Sequence, residues 1–220
     1  MDKENSKHVN IEIPKGFIVF ISGVPGVGKT TISYELLRSF DVFRIIKETD
    51  LVREVLRGYN EYIKSKFKDK VNFIFDEIEI TDHKKLLSFS EATNQCYLMR
   101  KSIEKIVDRQ QRRGIPSIIN GVHIIPEALN GLLENRNTIY INLYVNNKQE
   151  LIDRLRNRDI NSYMLDHIPF IFRANTDLYI STSKLASDNN SIFHNVDVTN
   201  LSIKETVEEV TRRIKICLEL

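Results

Sequence analysis

Gly23-Val24-Pro25-Gly26-Val27-Gly28-Lys29-Thr30, with the apolar run Gly16-Phe17-Ile18-Val19-Phe20-Ile21-Ser22 before it and Thr31 opening a helical pattern after it, decides the fold. The order is buried strand, Gly-rich loop, helix, and the spacing is that of a Walker A loop. Glycines at 23, 26 and 28 let successive main-chain N–H groups turn inward as a nest for a β-phosphate, and the positive end of the next helix adds to the attraction. Lys29 brings a mobile charge to the β- and γ-phosphates, and the Thr30 hydroxyl is the candidate ligand for the Mg²⁺ that bridges them. Gly23, Val24, Pro25, Gly26, Val27, Gly28, Lys29, Thr30 and Thr31 form the candidate nucleotide-binding set.

Outward from this loop the chain alternates strand and helix, which predicts an α/β fold with a parallel sheet covered on both faces. Strands are expected near 17–22, 42–46, 117–120, 138–145 and 191–194. Helices are expected near 28–39, from 50 to a stop at Gly58, and over 88–113, 147–158, 163–187 and 202–218. The least regular part, 59–95, carries Lys64, Lys66, Lys68 and Lys70 with interleaved aromatics. It reads as a helical insert facing the substrate. Residues 147–187 read as a lid with its following helix, and 1–12 as a polar tail. The 220 residues are expected to form one domain.

Composition narrows the class. A net charge of +2 gives no general attraction to nucleic acid or to a membrane surface, and no apolar stretch reaches spanning length. The two cysteines, Cys96 and Cys217, are far apart and lack metal-ligand spacing, which fits reduced thiols in a cytoplasm. Asp-x-x-Gly occurs nowhere, so a GTPase switch is not indicated. Asn147-Lys148-Gln149-Glu150 echoes a guanine-reading motif but ends in Glu and follows the wrong strand.

Ligands of a parallel sheet gather beyond the carboxyl ends of its strands. Asp50 follows the second strand there. It can take a proton from an attacking hydroxyl or order Mg²⁺ through water, or it can simply cap the next helix. Arg53 and Arg57, four apart on that helix, form a fork suited to an anionic acceptor, or two solvated cations. Asn120, Gly121 and His123 follow the third strand as candidate acceptor contacts, with a structural hydrogen bond as the alternative for His123. Arg154 and Arg158, again four apart, suit a lid closing on transferring phosphate. Arg173 is a further candidate for the same work.

Several of these pieces together resemble the 2-phosphoglycerate kinase-like P-loop kinases: the Walker A run, Thr49-Asp50-Leu51-Val52-Arg53-Glu54-Val55-Leu56-Arg57, Leu87-Ser88-Phe89-Ser90-Glu91-Ala92, Ile118-Ile119-Asn120-Gly121-Val122-His123-Ile124-Ile125-Pro126, and the Arg154/Arg158 segment. The resemblance implies a sheet order of 2-3-1-4-5 and ATP-dependent phosphorylation of a small, anionic metabolite. Lys29, Asp50, Arg154 and Arg158 would be catalytic. Asp50, Arg53, Arg57, Asn120, Gly121 and His123 would bind the acceptor. The chain departs from the family at Asn120, where members carry Glu, and it is shorter than the archaeal members, which have an extra N-terminal domain. Two rival functions stay open: a regulatory ATPase, and a nucleotide or polynucleotide-end kinase. A homodimer through the C-terminal amphipathic helix also stays open.

Overall fold

Five apolar runs pair in parallel, and their order sets out the site. The computed structural model describes residues 12–67, 88–133, 137–157, 162–187 and 192–219. Among these, the strands are β1 (Ile18–Ser22), β2 (Ile45–Glu48), β3 (Ser117–Asn120), β4 (Thr138–Tyr144) and β5 (Phe193–Asp197). They form one sheet in the order β2-β3-β1-β4-β5, as the family resemblance implied. The register places Glu48 beside Asn120, Asn120 beside Ile21, and Ser22 beside Asn142. The loops leaving β2, β3 and β1 therefore emerge side by side on one rim.

The helices are α1 (Lys29–Ser39), α2 (Thr49–Lys66), α3 (Phe89–Arg113), α4 (Pro126–Leu133), α5 (Lys148–Arg156), α6 (Ser162–Asp166), α7 (Ile168–Ser187) and α8 (Ile203–Leu218). Side chains of a strand alternate between faces, so β1 serves two cores. Val19 and Ile21 join Leu36 of α1, Leu151 and Leu155 of α5, and Val210 and Ile214 of α8. Ile18 and Phe20 join Met99, Ile103 and Val107 of α3 and Leu129 of α4 on the other face. α7 contributes Ile171 to the first core and Leu178 to the second. α8 starts at a reciprocal capping box between Ser202 and Glu205, and spends its apolar face on the chain's own sheet.

Several boundaries differ from the sequence expectation. β2 begins at Ile45, not Val42, because β3 offers no strand partner before Ser117; residues 41–42 turn instead. α2 runs through Gly58 to Lys66. Gly58 does not take a left-handed conformation, so it makes no C-terminal stop, and the helix absorbs its entropic cost. The segment 163–187 is two helices broken at His167, with Pro169 in the first turn of α7, where its missing N–H costs nothing. α4 was not expected. Its signal was present as Pro126 at the first helical position and buried Ala128, Leu129, Leu132 and Leu133 behind it. The expected tail (apart from Glu12), the 68–87 portion of the insert with Lys68 and Lys70, and Arg158 lie outside the described residues.

Candidate active site

β1 ends on buried Ser22 and releases the glycine loop into α1. Gly28 caps α1 with φ 97°, and α1 has neither a side-chain cap nor an acid in its first turn. Its first N–H groups therefore face the loop with no carboxylate competing for them. A Cβ on Gly28 would meet nothing within 4 Å, so the space beside the helix start is open. Lys29 lies across the loop, its Nζ donating to the Val24 carbonyl at 2.9 Å. Thr30 and Thr31 are exposed at the start of the helix. The arrangement fits a polyphosphate held by main-chain amides. Among the described residues no cluster of three or more His, Cys, Asp or Glu could hold a metal ion.

Asp50 sits in the first turn of α2, whose N-cap position is Glu48 and whose start has no side-chain cap bond. Asp50 is thus not the capping residue. Its side chain is 49% exposed, yet its Oδ1 is buried without a hydrogen-bond partner among the described residues. That oxygen lies 3.5 Å from Nδ1 of His123, an ion-pair distance rather than a closed hydrogen bond. The same Nδ1 lies 3.3 Å from the Thr49 hydroxyl.

His123 is fully buried, so it does not reach an acceptor directly; it contacts α2 instead. Gly121 explains how the two loops approach. At φ 153°, a Cβ there would lie 1.7 Å from Thr49 Oγ1. Thr49 was not singled out from the sequence. Its residue type is ordinary at a helix start, and only the crossing of the loop after β3 gives it weight. Further along that loop, Ser22 Oγ and the Tyr140 hydroxyl both donate to the Ile124 carbonyl, at 2.6 and 3.0 Å. Burial raises the Tyr140 phenol well above its usual range, which keeps it a donor.

Asn120 is also buried, and its position corrects the acceptor-contact expectation. Its Nδ2 donates to Ser33 Oγ at 2.8 Å, and Ser33 Oγ donates to the Lys29 carbonyl. The residue ties the end of β3 to the helix behind the phosphate loop. Arg53 and Arg57 do share a face, but both engage Glu54, with Arg53 buried. The hydrogen bond from Arg53 chiefly lowers the Glu54 carboxyl below its usual value. Arg154 binds Glu150 at 2.6 Å and the Val198 carbonyl beyond β5, so in this conformation it is not extended as a lid cation. Arg173 is exposed and 3.9 Å from Asp177. A small apolar pocket adjoins the loop, walled by Val24, Pro25, Phe89, Ala92, Val122 and Ile171 among others.

Residues 19–167 match the AAA domain family, a span that includes the phosphate loop, Asp50 and the loop after β3. The chain belongs to the AAA domain family. The chain is 27% identical over 217 residues to a 2-phosphoglycerate kinase of Methanococcus maripaludis, covering 89% of this chain and 65% of that protein. It is also 27% identical over 145 residues to a mevalonate-3-phosphate 5-kinase of Thermoplasma acidophilum, covering 64% and 67%. Among solved structures, a gluconokinase from Sinorhizobium meliloti superposes with a TM-score of 0.51 at 14% identity, covering 90% of this chain and 91% of that one. That likeness bears on the fold alone. The chain spans just under two thirds of the length of the 2-phosphoglycerate kinases it matches first. Among the described residues no helix is long and apolar enough to cross a membrane.

Proposed function

We propose that the protein is a P-loop phosphotransferase that moves the γ-phosphoryl group of ATP to a hydroxyl or phosphate of a small anionic metabolite. We also take residues 1–220 to act as one kinase domain. The observation that carries this reading is a half-exposed carboxylate, Asp50, unused for capping, on the same rim as an uncapped glycine cradle. A hydrolytic switch needs the cradle; a kinase needs, in addition, a group that prepares the acceptor.

The residues divide the work. Main-chain amides of 23–30 and the start of α1 hold the β-phosphate, and Lys29 turns from the Val24 carbonyl to the β- and γ-oxygens. Bound Mg²⁺, held on the protein side by Thr30, would supply charge neutralisation across the phosphates. Asp50 accepts the acceptor's proton as its oxygen bonds to the γ-phosphorus and ADP departs. Arg53 and Arg57 reach an acceptor anion by exchanging Glu54 for it. Arg154 serves a lid in the same manner, by exchanging Glu150, and Arg158 is its expected partner. The named relatives act on phosphorylated acids, 2-phosphoglycerate and mevalonate 3-phosphate, which sets the starting point for the acceptor.

A panel of phosphate- and hydroxyl-bearing acids, 2-phosphoglycerate included, tests the reading by acceptor-stimulated ADP release with mass identification of the product. Stimulation by one acceptor with a phosphorylated product is the expected result. Slow ATP hydrolysis indifferent to every acceptor would favour the regulatory ATPase.

A further inference from the structure

We infer that His123 is a positioning residue for the Asp50 carboxylate, and that Gly121, Thr49 and His123 form the clamp that aims it. The inference rests on the phosphotransfer reading above. The sequence offered His123 as an acceptor contact, yet a fully buried imidazole has no route to a ligand on the rim. Its Nδ1 instead faces two consecutive residues of α2, Thr49 at 3.3 Å and Asp50 at 3.5 Å.

A carboxylate only accepts, so the positioning role requires the tautomer that carries its proton on Nδ1, which faces Asp50 Oδ1 at 3.5 Å with the Thr49 hydroxyl 3.3 Å away. The two carboxylate oxygens then have different duties. Oδ1 is buried against the imidazole, while the side chain as a whole is half exposed, so its exposure lies toward Oδ2. Oδ2 is the oxygen free to take an acceptor proton. Holding Oδ1 removes rotation about the carboxylate's terminal bond, and a general base gains from that constraint because its lone pair must meet the departing proton.

The clamp has a second anchor. Gly121 lets the loop's backbone press on Thr49, leaving no room for a Cβ. The Ile124 carbonyl, holding Ser22 and Tyr140 as donors, fixes the far end of the loop to the central strands. The imidazole is thereby placed by β1 and β4, not by α2 itself. Asp50 is aimed relative to the sheet, and so relative to the phosphate loop that the same sheet supports.

The test compares His123→Ala with His123→Asn, whose amide nitrogen can take the place of Nδ1. With the best acceptor at saturation, His123→Ala should lower kcat about 10- to 100-fold while the Kd for MgATP stays within about twofold, since the contacts from Nδ1 run to Thr49 and Asp50 of α2. His123→Asn should recover most of kcat. On an Asp50→Asn background, His123→Ala should cost little further, because the group it positions is already disabled. Equal losses in the Ala and Asn variants, an unchanged kcat in His123→Ala, or full additivity with Asp50→Asn would each overturn the inference. Those results leave wild-type turnover intact. A wild-type chain that turns over no acceptor removes the phosphotransfer reading itself and the positioning role with it.

Discussion

Gly121→Ala puts the crossing of two loops to a direct thermodynamic test. The new methyl would sit 1.7 Å from Thr49 Oγ1 and 3.0 Å from Thr49 Cβ, on a backbone at φ 153°. Neither conflict relaxes cheaply. The backbone conformation costs a non-glycine residue about 1–3 kcal/mol. Displacing Thr49 breaks its buried contact with His123, which adds about 1–3 kcal/mol. Together the loss is about 2–6 kcal/mol, a large share of the about 5–15 kcal/mol that holds a domain folded. At about 2–4 °C per kcal/mol in a chain of this size, the midpoint should fall by about 4–24 °C. Urea unfolding followed by circular dichroism, with a thermal scan beside it, measures both. The partner variant is Thr49→Ala, which removes the oxygen the methyl strikes. The double variant should be less destabilised than the sum of the singles by about 1 kcal/mol or more. A single variant within about 0.5 kcal/mol of wild type, or a double variant that is simply additive, would refute the clamp geometry.

Gly28→Ala should behave in the opposite way: the methyl meets no atom, so stability falls only by the cost of a positive φ, but ATP affinity by calorimetry should drop at least tenfold because the methyl takes up open space that the proposed phosphate needs. Lys29→Ala should lower acceptor-stimulated ADP release roughly 100- to 1,000-fold with an unchanged circular dichroism spectrum; near-normal turnover would remove the assigned role. Asp50→Asn should lower kcat about 100- to 10,000-fold while MgATP still binds, and a loss confined to thermal stability would return the residue to a structural part. In α8, the Glu209 carboxyl is held below its ordinary 4.5, first by the hydrogen bond from Arg212 and then by Arg213. Its pairing therefore stabilises the fold above pH 4.5 and is lost as pH falls through the lowered value. Glu209→Gln should be less stable than wild type at pH 7 by a surface-pair amount, about 0.2–1 kcal/mol. The gap should close in acid, and a gap that persists there would assign the effect to packing.

The chain's local chemistry determined the phosphate loop on its own. Three glycines, one lysine and a threonine between an apolar run and a helix can be read without any distant residue, because the ligand they suit is held by consecutive main-chain groups. Strand-and-helix alternation likewise determined the parallel sheet, and α8 and α3 were legible from their apolar period. What the tertiary structure decided was the partner of each polar side chain. Asn120 and His123 stand at the expected rim, yet burial turns one toward Ser33 and the other toward Thr49 and Asp50. Arg53, Arg57 and Arg154 have the expected spacing, yet Glu54 and Glu150 neutralise them at rest. The limits of β2 and the passage of α2 through Gly58 were set by a strand neighbour and by an open flank, neither of which a linear pattern contains. A side chain's rotamer and ion pair depend on atoms brought from elsewhere in the chain, such as residue 123 beside residue 50, and only the folded sheet order brings them together.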